Sequence, residues 1–334
     1  GSCRRETRSR FLVRPHNDGL RKAIGNGDYS VNPIKHAKVG KDITVADLMG
    51  QYENCAFGAG RLAQAVKIYK EMQAEDVTSF FGLAGAMIPA GMRQVVADMV
   101  RRGDIDVLVT TGANLVHDMI EAFGGEHCQG QCTANDIELK NCKIDRIYDV
   151  YLPDQHFTTF EERFDAIVGD ILDSHPQKLF TICNFLREVG SRIEDKNSIL
   201  RAAVDNEVPV FCPAIADSSI GLQSWVFGYK RDLQVDTFKD IRQIMDICYK
   251  ARRAGALFVG GGVPKNFIMQ SMLLIPKGFD FAIQLTMDTP ETGGLSGATL
   301  DEAKSWGKIG EHADTVTVYS DATITLPILV AATL

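Results

Sequence analysis

Between residues 90 and 102 the apolar positions Met92, Val95, Val96, Met99 and Val100 recur at helical spacing, which predicts an amphipathic helix. The stretch 106–111 that follows is different: apolar residues stand side by side, as in a strand buried on both faces. The same alternation runs on down the chain. Periodicity predicts helices over about 60–75, 159–173, 178–193, 196–206, 236–253, 264–275 and 299–306. Another runs from residue 111 to the Gly124-Gly125 stop, and an apolar one closes the chain. Short β-type runs predict strands at 77–81, 208–212, 256–259, 280–285 and 315–319. Strands that are apolar throughout and separated by helices imply an α/β, Rossmann-like fold, with a mostly parallel sheet and helices on both faces. Residues 1–45 are basic, polar and weakly periodic, and read as an N-terminal arm ahead of one continuous domain, 46–334.

Composition narrows the function classes. The net charge of −7 argues against a dedicated nucleic-acid binder. No stretch reaches the roughly 18 apolar residues of a membrane span. The eight cysteines are scattered through 334 residues, a length that needs no disulfide staples, so they read as reduced thiols of a cytoplasmic protein. His127, Cys128, Cys132 and Cys142 are metal-ligand types, but their spacing matches no zinc knuckle and no metal is expected there.

In open parallel sheets, ligands bind beyond the carboxyl ends of the strands. The segments following the predicted strands (82–91, 110–114, 213–219, 260–264, 286–289 and 320–322) are rich in small and polar residues. Small residues let backbone N–H groups and helix N-termini approach a phosphate. Asp217 or Asp321 would accept hydrogen bonds from ribose hydroxyls, or simply cap helices. There is no G-x-G-x-x-G, Walker motif or nucleophile elbow. Six such loops together point to a nucleotide or dinucleotide. His117 lies on the helix after strand 106–111. Near the end of the chain Lys308 follows Trp306 and Gly307, with Thr299 and Glu302 upstream at capping-box spacing. A lysine partly desolvated beside an indole becomes a nucleophile suited to imine chemistry; a surface lysine beyond a helix end is the plain alternative.

Residues 106–111, 208–221, 260–265 and 293–329, with the frame Ser305-Trp-Gly-Lys-Ile309, resemble the deoxyhypusine synthase family, and the likeness runs from about residue 44 to the end. The resemblance implies NAD as cofactor and spermidine as aminobutyl donor. It implies a lysine of a translation initiation factor precursor as acceptor, and a homotetramer with cofactor sites across a subunit interface. Lys308 would form the imine, Trp306 would wall the aliphatic chain and Glu302 would contact the polyamine. Gly261 and position 266 would also meet the amine. Gly85, Ala86, Met87, Ile88, Pro89, Thr111, Gly112, Ala113, Asp217, Asp321 and Ala322 would contact NAD.

Four positions depart from the eukaryotic pattern. His117 replaces a glutamate that contacts amine and cofactor, Asn266 replaces a proton-transferring histidine, and Leu222 and Leu295 replace polyamine-binding aspartates. The wording of 110–118 and 293–298 is similar to the archaeal and bacterial branch, which includes relatives that make homospermidine. Three readings follow: deoxyhypusine synthesis, aminobutyl transfer to putrescine or another small amine, and an inactive regulatory paralogue.

Overall fold

A computed structural model describes residues 33–176 and 179–334, so most of the predicted arm lies outside the described residues. The first elements are α1 (Val45–Tyr52), held by a reciprocal Thr44–Asp47 capping box, and α2 (Phe57–Met72). β1 (Val77–Leu83) leads through a short wide turn, Ile88–Met92, into α3 (Arg93–Arg102). β2 (Val107–Thr110) leads into α4 (Gly112–Ala122). A small antiparallel sheet follows, built from β3 (Cys128–Gln129), β4 (Ile144–Ile147) and β5 (Val150–Pro153), with α5 (Asp136–Asn141) between its first two strands. Then come α6 (Gln155–Ser174), α7 (Ile182–Ser191), α8 (Ile199–Asp205), β6 (Val210–Phe211), α9 (Ser219–Phe227) and α10 (Phe238–Lys250). The last part alternates strictly: β7 (Arg253–Val259), α11 (Gly262–Ser271), β8 (Phe279–Thr286), α12 (Leu300–Ser305), β9 (Ile309–Tyr319) and α13 (Ala322–Ala331).

The main sheet has six strands in the order β6-β2-β1-β7-β8-β9, and every neighbouring pair is parallel. Side chains alternate across it into two cores. On one face Phe81, Leu108, Leu257 and Ile283 pack under α2, α3, α4 and α13. On the other, Phe80, Val109, Ala256 and Phe258 pack under α10 and α11, with Leu300 of α12. This is the α/β layering that the apolar strands predict. The chain fills the sheet outward from β1 in one direction, then restarts at β7 and fills the other half. The boundary between β1 and β7 is therefore a topological switch point.

Several elements differ from the sequence prediction, for identifiable reasons. The 3-stranded sheet is unpredicted because its strands are two to four residues long and mostly half-buried, so no period is legible. α9 is unpredicted because it is apolar all round: Ile220 and Phe227 are buried while Leu222 and Trp225 are exposed. β9 starts at residue 309 rather than 315; its first half, Gly310 to Asp314, is polar, which an edge strand tolerates. The helix predicted over 236–253 stops at Lys250, because Arg253 opens β7 with its guanidinium over the Phe281 ring, 4.6 Å from the centroid.

Candidate active site

The stretch from α12 to β9 explains the Trp-Gly-Lys frame. Gly307 takes φ +70°, a left-handed conformation natural to glycine. Its N–H donates to Lys304 O at 2.9 Å, and the Lys308 N–H donates to Ala303 O at 3.1 Å. These two bonds are a Schellman stop. The reversal carries Lys308 back along the helix it has just left, with Nζ 5.5 Å from the centroid of the Trp306 ring. The Lys308 carbonyl accepts from Phe279 N–H at 3.0 Å, fixing the backbone to the start of β8.

Lys308 and Trp306 line a cleft of about 180 Å³ together with Glu302, Asn266, Lys265 and Leu295. Four of the residues predicted for amine chemistry (Lys308, Trp306, Glu302 and Asn266) thus share one cavity. The expected capping box is only half formed. Thr299 Oγ1 accepts from Glu302 N–H at 3.0 Å, but the described residues show no reciprocal bond from the glutamate side chain. The Glu302 carboxylate is left free to face the cleft.

Lys265 is the residue that sequence reading missed. It is 5 % exposed, and its Nζ donates to Gln284 Oε1 at 3.0 Å, to Leu295 O at 3.3 Å and to Ala298 O. All three ammonium protons are engaged. Burial pushes its pKa down to about 8, against the opposing effect of the Glu302 charge. The buried Gln284 amide in turn donates to Gly260 O at 2.9 Å and Ser296 O at 2.8 Å. A signal was available: Lys265 falls three and four residues before Ile268 and Met269, on the apolar side of a predicted helix.

The loops at the carboxyl edge converge. A Cβ on Gly261 would lie 2.3 Å from Ser296 Cα, and one on Gly112 2.3 Å from Ser218 Cβ, so only glycine fits at either junction. The Ser296 segment is therefore wedged between the switch point and the Lys308 cleft. The N-termini of α4, α9, α11 and α13 all begin at this edge. Asn114 Oδ1 is buried there and has no partner among the described residues, although its amide nitrogen reaches Leu83 O and Thr110 Oγ1. Cramped glycines, helix N-termini and an orphaned acceptor suit a phosphate-bearing cofactor.

The predicted cofactor residues divide by exposure. Gly85, Ala86, Ala113 and Asp217 are exposed, with Met87 and Thr111 partly so; Thr111 Oγ1 caps α4. Ile88, Pro89, Gly112, Gly261 and Ala322 are buried, so Ile88 spends its side chain on the core. Asp321 caps α13, its Oδ1 accepting from Thr323 N–H at 2.8 Å and Oγ1–H at 2.9 Å.

His117 is not brought to the cleft. α4 packs on the first face of the sheet and α11 on the second, so a single chain holds His117 and Lys308 apart. His117 Nδ1 lies 2.9 Å from His127 Nε2, and His127 Nδ1 lies 2.7 Å from Glu121 Oε1. Burial, reinforced by His127, holds the His117 pKa down to about 4. Cys128, Cys132 and Cys142 are exposed nearby in sequence, and among the described residues no cluster of metal-ligand side chains occurs.

The family model described as deoxyhypusine synthase matches residues 47–333. The chain belongs to the deoxyhypusine synthase family. The probable deoxyhypusine synthase 1 of Methanosarcina acetivorans is 58% identical over 301 residues, 90% of this chain and 94% of that one. The crystal structure of a putative deoxyhypusine synthase from Entamoeba histolytica shares the fold, with a TM-score of 0.61 at 19% identity, over 90% of this chain and 96% of that one. AgrE, in a ternary complex with ornithine and NAD+, is a further structure of this fold, with a TM-score of 0.50 at 11% identity, covering 83% of this chain and 33% of its own. Of the four departures from the eukaryotic deoxyhypusine synthase pattern, Asn266 and Leu295 line the cleft. Leu222 is exposed on α9, and His117 lies across the sheet.

Proposed function

We propose that this chain is an NAD-dependent aminobutyl transferase that moves the aminobutyl group of spermidine, through an imine on Lys308, to a lysine of the translation initiation factor precursor. The observation that carries the reading is the single cleft holding a lysine, an indole and an untethered carboxylate beside the switch-point loops. Family membership and the name of the Methanosarcina relative support the reaction. The fold of AgrE, solved with NAD+, supports the cofactor.

In this reading the loops 85–89 and 111–113, with Asp217, Gly261, Asp321 and Ala322, hold NAD, which when bound supplies the hydride acceptor and donor. Glu302 pairs with a terminal ammonium of the donor, and Trp306 covers its methylenes. The Lys308 amine adds to the oxidised carbon, diaminopropane leaves, and the resulting imine passes to the acceptor amine. Lys265 keeps the loop 295–298 in place over the cleft. Residues 46–334 are the catalytic unit of a cytoplasmic enzyme.

Because His117 and Lys308 occupy opposite faces of the sheet, we assign the complete site to two copies of the chain, in keeping with a homotetramer. Exposed Leu222, Trp225 and Tyr229 offer apolar surface for such assembly. A second reading, transfer to putrescine or another small amine, is favoured by one feature. Leu295 stands in the cleft where the eukaryotic pattern has a carboxylate, which leaves Glu302 as the only acid among the lining residues.

The test is a label-transfer assay with NAD and spermidine labelled in the aminobutyl group, trapped with borohydride. Label on the wild type and none on Lys308→Arg is expected. Adding the factor precursor or putrescine then identifies the acceptor. Absence of label on a wild type that binds NAD would overturn the proposal.

A further inference from the structure

We propose that Lys265 and the ammonium of an incoming donor amine compete for one carboxylate, so that capture of the amine expels a proton from Lys265. This rests on the functional reading above. The charges meet in the Lys308 cleft. Its lining holds Lys265 of α11, Glu302 of α12 and Lys308 just beyond that helix, and no other charged side chain. A cation entering the cleft therefore finds Glu302 as the one acid on its walls.

Lys265 is a buried cation whose hydrogen bonds all go to neutral oxygens. Nζ donates to Gln284 Oε1 at 3.0 Å, to Leu295 O at 3.3 Å and to Ala298 O. A buried charge needs an opposite charge as well as hydrogen bonds. Glu302 is the acid whose field supports it. The Glu302 side chain caps no helix, so it is open to a second cation.

The other charged groups around Lys265 are engaged or distant. α11 carries no further titratable side chain, and β1 and β2, on which it packs, carry none. On β8, Asp280 sits at the start of the strand and accepts from Ala254 N–H at 2.8 Å. On β7 the one charge is Arg253, at its amino end over Phe281. On α12, Asp301 pairs with Lys304 at 3.2 Å, and in the preceding loop Asp288 and Glu291 are exposed. α10 meets α11 through Cys248 Sγ, 3.3 Å from Ser271 Oγ, while its buried Asp240 accepts from Cys183 N–H at 3.1 Å.

When an ammonium of the amine pairs with Glu302, the field that supports Lys265 is cancelled and a like charge is added beside it. The Lys265 ammonium then becomes an amine. One N–H bond breaks, the proton leaves through the cleft to solvent, and no electrons are exchanged. An ammonium donates three hydrogen bonds and a neutral amine two, so one of the three oxygens loses its donor. The wall of the cleft survives, because Gln284 Nε2 still donates to Ser296 O at 2.8 Å and Gly261 still packs against Ser296. Burial has already brought the Lys265 pKa down to about 8, so this proton is exchangeable near neutral pH. Lys265 thus sets how strongly amine capture depends on pH.

The experiment is calorimetric titration of spermidine into the full chain with NADH bound, since the reduced cofactor takes no hydride and the amine binds unreacted. Titrations in phosphate and in Tris at pH 7.5 count the protons released. The wild type should release roughly half a proton per amine, and its affinity should tighten about threefold from pH 7 to pH 8. Lys308→Ala should keep both effects, and Lys265→Met should lose both. If Lys265→Met does not fold, the wild type and Lys308→Ala decide between them. No release from the wild type, release that persists in Lys265→Met, or release that vanishes in Lys308→Ala would overturn the competition. Label trapped on Lys308 without proton release would sink this inference and keep the functional reading. Proton release without label trapping would do the reverse, and a wild type that binds no spermidine would sink both.

Discussion

Lys308 Nζ lies over the face of Trp306, 5.5 Å from the ring centroid, on the far side of a helix stop that both residues help to build. Indole and amine are a matched pair here: the ring attracts a cation, and its face shields methylenes from water. Trp306→Ala should raise the KM for the amine about five- to tenfold while borohydride still traps label on Lys308, and Trp306→Phe should recover most of the loss. Unchanged KM in Trp306→Ala would remove the indole from the amine site.

Gly307 aims the lysine. Its left-handed φ of +70° would cost a side chain about 1–2 kcal/mol. Gly307→Ala should lower thermal stability by that modest amount and reduce imine trapping far more, because the turn relaxes and Lys308 misses the cleft. Equal and small effects on both would show that the reversal is not needed for the chemistry.

Lys265 sets a pH signature. Its folded pKa of about 8 lies below the ordinary lysine value of 10.5. Between those values the unfolded chain holds the proton and the folded chain has released it, so folding stability rises with pH across that window. The burial penalty is fully present below pH 8. The stability of the wild type relative to Lys265→Met should therefore climb from pH 8 to pH 10 with a slope of at most about 1.4 kcal/mol per pH unit. A flat difference in denaturant titrations would mean that Lys265 is not shifted.

The separation of His117 from Lys308 by the sheet predicts complementation. Lys308→Ala and His117→Ala proteins, each impaired alone, should regain activity when unfolded together and reassembled, since mixed assemblies pair an intact lysine with an intact histidine. No recovery, with mixed assemblies demonstrated by tagging, would place both residues of each site on one chain.

Much of the fold was legible because each buried strand is an unbroken apolar run and each flanking helix has a clear period, as Met92, Val96 and Met99 illustrate. The edge strand β9 and the helix α9 were harder. One is polar along half its length, and the other has apolar residues on every side, so neither carries a readable period. At the site, the Trp-Gly-Lys frame was visible because helix stop and chemistry share three consecutive residues. The Lys265–Gln284 pairing was not, since it joins a helix to a strand 19 residues away through side chains that look ordinary in isolation. The His117–His127 contact was hidden likewise, as nothing in a ten-residue spacing marks two rings as neighbours.

The clamp over the cleft grips main chain rather than side chains. Lys265 holds the carbonyls of Leu295 and Ala298, and Gln284 holds that of Ser296. Such a grip is indifferent to which residues the loop carries. The side chain at position 295 can therefore be exchanged, acidic for apolar, without loosening the scaffold that presents it. Divergence in amine preference among descendants of this fold needs no rebuilding of the cleft, only a change of lining on a frame that stays fixed.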